Sequence, residues 1–364
     1  MERRAFLTAI TLPVWAPAIS ARAALTRLTS RVVDRLRPVS QQRRDALALN
    51  AAGQSAVELN RTIPEIDEIE VFNGAGPASP RKTLRVVAWN MERGRHWKEG
   101  ARLIRETEAL RDPDLLLLGE MDHGMVRSGN AHTTRALAEE LGLNYAYGVE
   151  FLELTGGELG ERELYPGTND QGYHGNAILS RYPLKGVRML RFPGIDKWYA
   201  GVGANEGERV QKRLGGRMAL FATITVGRDI TVVCTHLESS AKDAAARTRE
   251  TGLLLDALRG YAKKTPVILG GDLNATPDEA MFTAVRASGF PPEESNELAV
   301  GTRQKVQDGK VVILENHIDY VLVRGLRVVR DQTSPKVVLA AYPSRPDGQM
   351  LGDHAIVTAK VELP

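Results

Sequence analysis

Leu84-Arg85-Val86-Val87-Ala88-Trp89-Asn90-Met91-Glu92, followed by Asp114-Leu115-Leu116-Leu117-Leu118-Gly119-Glu120, decides the fold. The first stretch reads as a strand ending in polar residues. The second is a continuous apolar run, as expected of a strand buried on both faces. Between them, residues 98–111 carry Leu103, Ile104 and Leu110 at helical spacing on an otherwise charged segment. Asp112-Pro113 stops that helix, because the residue before proline is driven out of the helical region. Strand, helix and strand in this order form a βαβ unit with parallel strands.

A second unit follows much later. Asp229 to Thr235 is a strand, Asp243 caps a helix running to about Tyr261, and Pro266 to Gly270 is another buried strand. Ile318 to Val323 and Ala355 to Leu363 close the chain as strands. Between the units, a helix is expected near Thr134 to Leu141 and a strand at Asn176 to Ser180. The Pro193–Gly216 stretch reads as a long loop rich in glycine and charge. The fold class is α/β.

The polar residues at the strand ends point to chemistry. Asn90 and Glu92 are two apart and share one side of an extended backbone. Glu120 follows the next strand, and parallel strands joined by a crossover end on one edge of the sheet. His236, Asp272 and Asn274 follow the strands of the second unit in the same way. Asp319 begins its strand, with His317 two residues earlier, and Asp353-His354 precede the last one. If the closing strands run antiparallel to the others, Asn90, Glu92, Glu120, His236, Asp272, Asn274, Asp319, Asp353 and His354 share one cleft. Asp272-Leu273-Asn274 alone would read as a turn. Five carboxylates and two imidazoles converging there would repel without a cation among them.

Composition narrows the remaining choices. The chain has 364 residues, 43% hydrophobic and 26% charged, which is ordinary globular composition. A formal charge of +3 excludes a histone-like polycation. The single cysteine, Cys234, excludes a disulfide scaffold and any cysteine-based zinc site. Met1-Glu2-Arg3-Arg4 precedes an uncharged stretch from Ala5 to Ala21, broken by Pro13 and Pro17. Ala21-Arg22-Ala23 then offers small residues to a signal peptidase. Residues 1–23 are therefore expected to be a twin-arginine-like signal peptide, and the mature protein periplasmic or secreted. Losing Arg3, Arg4, Arg22 and Glu2 would take the formal charge from +3 to +1. Residues 24–80 read as an N-terminal arm and linker, arginine-rich first and acidic later, and 81–364 as the main domain.

Val87-Ala88-Trp89-Asn90-Met91-Glu92, Leu118-Gly119-Glu120, Cys234-Thr235-His236-Leu237, Gly271-Asp272-Leu273-Asn274, His317-Ile318-Asp319-Tyr320 and Gly352-Asp353-His354 occur in that order. The set resembles the endonuclease/exonuclease/phosphatase superfamily, which includes pancreatic-type deoxyribonuclease, apurinic endonuclease, neutral sphingomyelinase and inositol-polyphosphate 5-phosphatase. The resemblance covers about 81–364. It implies a deoxyribonuclease-I-like four-layer sandwich, two mixed β-sheets flanked by helices, with the site at the sheet edge.

By the same resemblance, Glu120 is the main Mg ligand, helped by Asn90 and Glu92, with Asp353 on the metal side. Glu92 stands where some members have Asp. Asp272 and Asn274 hold the attacking water and a phosphate oxygen. Asp319 orients His354, and His236 is the second site histidine. Oxygen ligands favour Mg, with Mn as a substitute. Asp272 and the two imidazoles compete for the role of general base. The carboxylate partner predicts a His354 pKa above about 6.5.

The implied activity is hydrolysis of a phosphodiester, with nucleic acid the first substrate expected and a lipid or inositol phosphate the alternative. A non-catalytic binding scaffold is the third reading. A monomer without a membrane span is expected. Arg213 and Arg217, with Lys212, are candidates for phosphate contact, and Trp198 and Tyr199 for bilayer docking. Asn176 is a supporting residue and His174 a substrate-side or structural one. His96, His123 and His132 read as surface residues.

Overall fold

The computed structural model describes residues 28–50, 56–76, 78–156, 159–193, 213–240, 243–342 and 349–363. The expected signal peptide, Lys212, Trp198 and Tyr199 lie outside the described residues. Among the described residues, the strands form a ten-stranded sheet, a six-stranded sheet and a separate hairpin.

The two βαβ units sit one in each sheet. Thr83–Asn90 runs parallel to Leu115–His123 in the larger sheet, with Trp97–Glu106 as the crossover helix. Arg228–His236 runs parallel to Val267–Asp272 in the smaller one, with Ala244–Ala262 as crossover. Asp243 caps that helix by accepting from the Ala246 amide at 2.8 Å. Both closing strands are antiparallel. Asp319–Arg324 pairs with Val267–Asp272, and Ile356–Glu362 with Thr83–Asn90. Their N-terminal ends therefore meet the C-terminal ends of the parallel strands.

Three apolar layers separate two sheets and two groups of helices. Alternation along each strand divides its side chains between them. Val86, Ala88, Leu115 and Leu117 face Leu220, Val232, Ile268 and Val321 of the opposite sheet. Val87, Trp89, Leu116 and Leu118 face the helices on the outer side. Leu253, Leu254 and Leu258 of the long helix cover the smaller sheet. The result is the expected four-layer α/β sandwich. Cys234 lies in the central layer with its Sγ 3.6 Å from the Leu118 carbonyl, and burial pushes its thiol pKa up.

Two strands at the centre of the architecture, Asn144–Glu153 and Met218–Val226, were not anticipated. The segment set apart as an arm supplies further strands. Leu28–Thr29 joins the smaller sheet, and Arg31–Val33 and Glu68–Phe72 join the larger one. The Arg44 guanidinium is buried and donates to the carbonyls of Val39 and Gln171 at 2.6 and 2.9 Å. It thereby ties the N-terminal segment to the loop that leads into Tyr173–Ser180.

Candidate active site

The register places the strand-end residues together. His236 is opposite Asp272 in the parallel pair, and Asp272 is opposite Asp319 in the antiparallel pair. Asn90 and Glu120 come to the same edge from the other sheet. A cleft of about 200 Å³ is lined by Asn90, Glu120, His236, Asp272, Asn274, Asp353 and His354. Asp319 stands behind His354 rather than on the cleft wall.

Backbone strain aims several of these side chains. Leu118 and Met121 both face the outer core although they are three residues apart. The register shifts between them, and Glu120 sits at this bulge with φ +56°. A bulged residue in the left-handed region leaves the strand's alternation. Glu92, Arg93 and Asn274 also have positive φ. Such conformations cost on the order of 1 kcal/mol or more each and persist where surrounding structure holds them. Gly271, with φ +129°, lies so close to the Thr235 carbonyl that a Cβ would sit 2.0 Å from its oxygen. Only glycine lets the chain reach Asp272 at that separation.

His354 is enclosed by acids. Its Nδ1 is 2.8 Å from Asp319 Oδ2, and its Nε2 is 3.7 Å from Asp272 Oδ2 and 4.0 Å from Asp353 Oδ1. Burial alone would lower its pKa. The Asp319 and Asp272 charges outweigh burial and raise it to about 10, in the predicted direction. The ring is an imidazolium at neutral pH. Thr302 Oγ1 accepts from the backbone amides of Ile318 and Asp319 and so fixes the start of the partner's strand.

His236 has the opposite surroundings. Its Nδ1 accepts from Arg217 Nη1 at 2.8 Å, and Arg217 also pairs with the buried Glu150. A guanidinium can only donate, so the proton of the neutral ring sits on Nε2. That nitrogen is 3.4 Å from Asp272 Oδ2. Burial and Arg217 together depress the His236 pKa to about 3, against the pull of Asp272 and Glu120.

Asp272 therefore faces two imidazoles in different charge states. Its Oδ1 accepts from the Asn274 amide at 2.9 Å and its Oδ2 from Asn90 Nδ2 at 3.1 Å. Burial and the Asp319 charge push its carboxyl pKa up. Asn274 Nδ2 in turn donates to the Leu237 carbonyl at 3.0 Å.

The residues expected to hold a metal are only partly gathered. Asn90 donates through Nδ2 to Glu120 at 3.1 Å, linking Glu120 to Asp272. Arg93 donates to Glu120 Oε2 at 2.7 Å. Burial would raise the Glu120 pKa, but Arg93 and the neighbouring histidines hold it well below the usual range. Glu92 is turned to Arg95 and does not line the cleft. Asp353 is paired with Arg303 at 2.8 Å and remains 37% exposed. Of the five carboxylates expected to repel, Glu92, Glu120 and Asp353 each have an arginine partner, while Asp272 and Asp319 face His354. Ligand-type atoms of Asp272, Asp319 and His354 do lie within 4.8 Å of one another. The oxygen donors Glu120 and Asn90 suit a hard divalent cation, with Glu120 held ionised to receive it.

Arg213 and Arg217, expected as candidates for phosphate contact, do line the cleft, and three further arginines there were not foreseen. Arg93, Arg127 and Arg303 line the cleft beside Arg213 and Arg217. Arg217 is buried rather than solvated, and Arg213 lies 3.9 Å over the Phe151 ring. Arg127 makes a two-point contact with Asp122, at 2.8 and 2.9 Å, and Asp122 Oδ1 is 2.8 Å from His174 Nδ1. His174 lines the cleft on that side. Asn176 is buried beside Gly119.

The other histidines are not surface residues. His123 and His132 stack at 4.0 Å, and His132 Nε2 is 3.1 Å from the buried Glu70. His317 Nδ1 is 2.6 Å from the Val300 carbonyl and belongs to the core. His96 is held by the Tyr342 hydroxyl at 2.9 Å.

Residues 87–354 match the sequence pattern of the Endonuclease/Exonuclease/phosphatase family. No curated protein matches the chain in sequence. Many solved structures share its fold, and three of them illustrate the likeness. An endonuclease/exonuclease/phosphatase from Beutenbergia cavernae is 18% identical with a TM-score of 0.51, covering 78% of this chain and 72% of its own. The human nocturnin catalytic domain with bound sulfate is 18% identical with a TM-score of 0.52, covering 79% of this chain and 97% of its own. A functionally unknown conserved protein from Enterococcus faecalis is 18% identical with a TM-score of 0.53, covering 77% and 100%.

Proposed function

The chain belongs to the endonuclease/exonuclease/phosphatase family, and from that premise we propose that it is a metal-dependent phosphodiesterase acting first on nucleic acid. One observation carries the reading. An imidazolium, a neutral imidazole and a carboxylate of raised pKa meet in one arginine-lined cleft.

The charge states assign the roles. His354 is already protonated and cannot take a proton at neutral pH. Its Nε2–H donates to a phosphate oxygen and stabilises the charge that builds there. Neutral His236 offers its Nε2–H to the same group, and the cleft arginines add positive charge. Asp272 is the general base. It takes a proton from water as that oxygen bonds to phosphorus and the ester P–O bond breaks. Asn274 helps hold the water. A divalent cation held by Glu120 and Asn90 would neutralise the leaving oxygen when bound.

The test is an assay of the mature protein on plasmid DNA, RNA, bis-p-nitrophenyl phosphate, sphingomyelin and inositol phosphates, with and without Mg. Diester cleavage that stops in EDTA and returns with Mg or Mn is expected, and Glu120→Gln should lose most of that response while remaining folded. Turnover of sphingomyelin or inositol phosphates alone would replace the nucleic-acid reading. Full activity in EDTA would remove the metal from the mechanism. Export is the other proposal: the intact mass of protein recovered from the exported fraction should begin at or near Ala24.

A further inference from the structure

A carboxylate flanked by two arginines adjoins the cleft. The guanidinium of Arg93 reaches Glu120 with Nη1 at 2.7 Å, while its Nε is 3.0 Å from Glu161 Oε1. Arg127 spends Nε and Nη2 on Asp122 and places Nη1 3.0 Å from Glu161 Oε2. One carboxylate therefore sits between two arginines, one oxygen on each. Both arginines line the cleft, while Glu161 does not. It comes from the six-residue helix Leu159–Leu164, outside both sheets.

We infer that the bay between Arg93 and Arg127 is a subsite for a second phosphoryl group of the substrate, and that the Glu161 carboxylate holds it when substrate is absent. The chemistry follows from the donors. Two guanidiniums within 3.0 Å of one carboxylate, one facing each oxygen, with Arg127 donating to it through Nη1, set out the charge and spacing that a phosphoryl group also takes. Asp122 keeps Arg127 in place at two points, and the positive φ of Arg93 aims that residue; neither arrangement depends on Glu161. A single Arg93 guanidinium links the bay to Glu120. A group bound there would thus lie beside the metal-side carboxylate, close enough to belong to the same substrate molecule. The proposal rests on the phosphodiester reading for the scissile group and adds a nearby phosphoryl group. That group could be a terminal phosphate or the next phosphate of a strand.

Inorganic pyrophosphate is the probe, titrated calorimetrically into the full mature chain in EDTA, so that no turnover enters. Glu161→Gln and Glu161→Ala are each expected to tighten pyrophosphate about 3- to 10-fold, because the internal competitor is gone. Adding Arg93→Gln should abolish that gain. Unchanged or weaker affinity in both Glu161 variants would overturn the proposal, as would a gain that survives Arg93→Gln. Circular dichroism of each variant checks folding. A dithymidine diester with and without a 5′-phosphate, and its trinucleotide extension, then separate the two sources through kcat/KM. A gain from either addition supports the subsite, and a gain from neither overturns it. If pyrophosphate behaves as expected and no diester is cleaved, the subsite stands and the phosphodiesterase reading fails.

Discussion

His236 and His354 approach Asp272 from opposite sheets, within 3.4 and 3.7 Å of the same carboxylate oxygen, yet they carry different charges. Both are buried, so desolvation acts alike on each. The difference lies one residue further out. Asp319 stands behind His354 and Arg217 behind His236. The outer partner thus fixes which imidazole is a cation and which is a neutral donor with its proton on Nε2. Residue type alone gives two histidines; only the second layer gives two functions.

The largest effect should come from breaking the acidic side. His354→Ala and Asp319→Asn are each expected to lower diester hydrolysis by about 10²–10⁴, the range of a positioned acid–base group. The double variant should be little worse than either alone, because the pair acts as a unit. Losses that multiply would separate Asp319 from His354, and a near-normal rate in His354→Ala would overturn the assignment. Purified variants of unchanged circular dichroism are compared on bis-p-nitrophenyl phosphate.

Breaking the basic side should cost less rate and more stability. Arg217→Met removes the donor that holds His236 in one tautomer and leaves Glu150 buried without its partner guanidinium. Removing one member of a buried ion pair typically costs about 3–5 kcal/mol. The Arg217→Met protein should therefore melt well below wild type in a denaturant titration. Its remaining activity should fall about tenfold, the rough lower end of what orienting a catalytic group contributes. Activity lost wholly without any loss of stability would give Arg217 a direct role on substrate.

How much of this was legible in the sequence follows the same division. The first layer was readable because buried parallel strands appear as unbroken apolar runs, and the polar residues capping them are conspicuous. Asn90, Glu120, His236, Asp272 and His354 all follow from that pattern and from the antiparallel closing strands. The second layer was not readable. Arg217 meets Glu150 across 67 residues and Arg303 meets Asp353 across 50, and no local spacing marks such pairs. Arg93 offered a signal, since it directly follows Glu92 at a strand end. Glu92 itself shows the limit of the period-two argument. The chain leaves the extended conformation there at φ +44°, and the side chain turns to Arg95 instead of the cleft. His123 and His132 were misread because stacking between two rings, like the pairing of His132 with Glu70, depends on strand placement.

A third comparison uses the protons directly. In metal-free protein, histidine ring resonances followed by NMR should show His354 titrating at about 10 and His236 at about 3. Neither should change between pH 5 and 8, where an unperturbed histidine titrates. Asp319→Asn should bring the His354 transition down toward 6.5. A wild-type His354 transition near 6.5 would remove the distinction between the two rings.

The last comparison is stability against pH, where the two histidines act with opposite sign. His354 has a folded pKa of about 10, above its unfolded value of about 6.5. Its contribution is complete below pH 6.5 and is lost as pH rises toward 10. His236 has a folded pKa of about 3, below its unfolded value. Its neutral form matches the unfolded chain above pH 6.5, and stability falls as pH drops from 6.5 toward 3, because the unfolded chain then binds a proton that the folded one refuses. Each limb has a slope of up to ~1.4 kcal/mol per pH unit when one proton is exchanged. Asp319→Asn should flatten the alkaline limb and leave the acid limb to His236, with urea midpoints measured in EDTA from pH 5 to 9. If Asp319→Asn instead flattens the acid limb, the charge states of the two rings are the reverse of those described, and the assignment of Asp272 as the base falls with them.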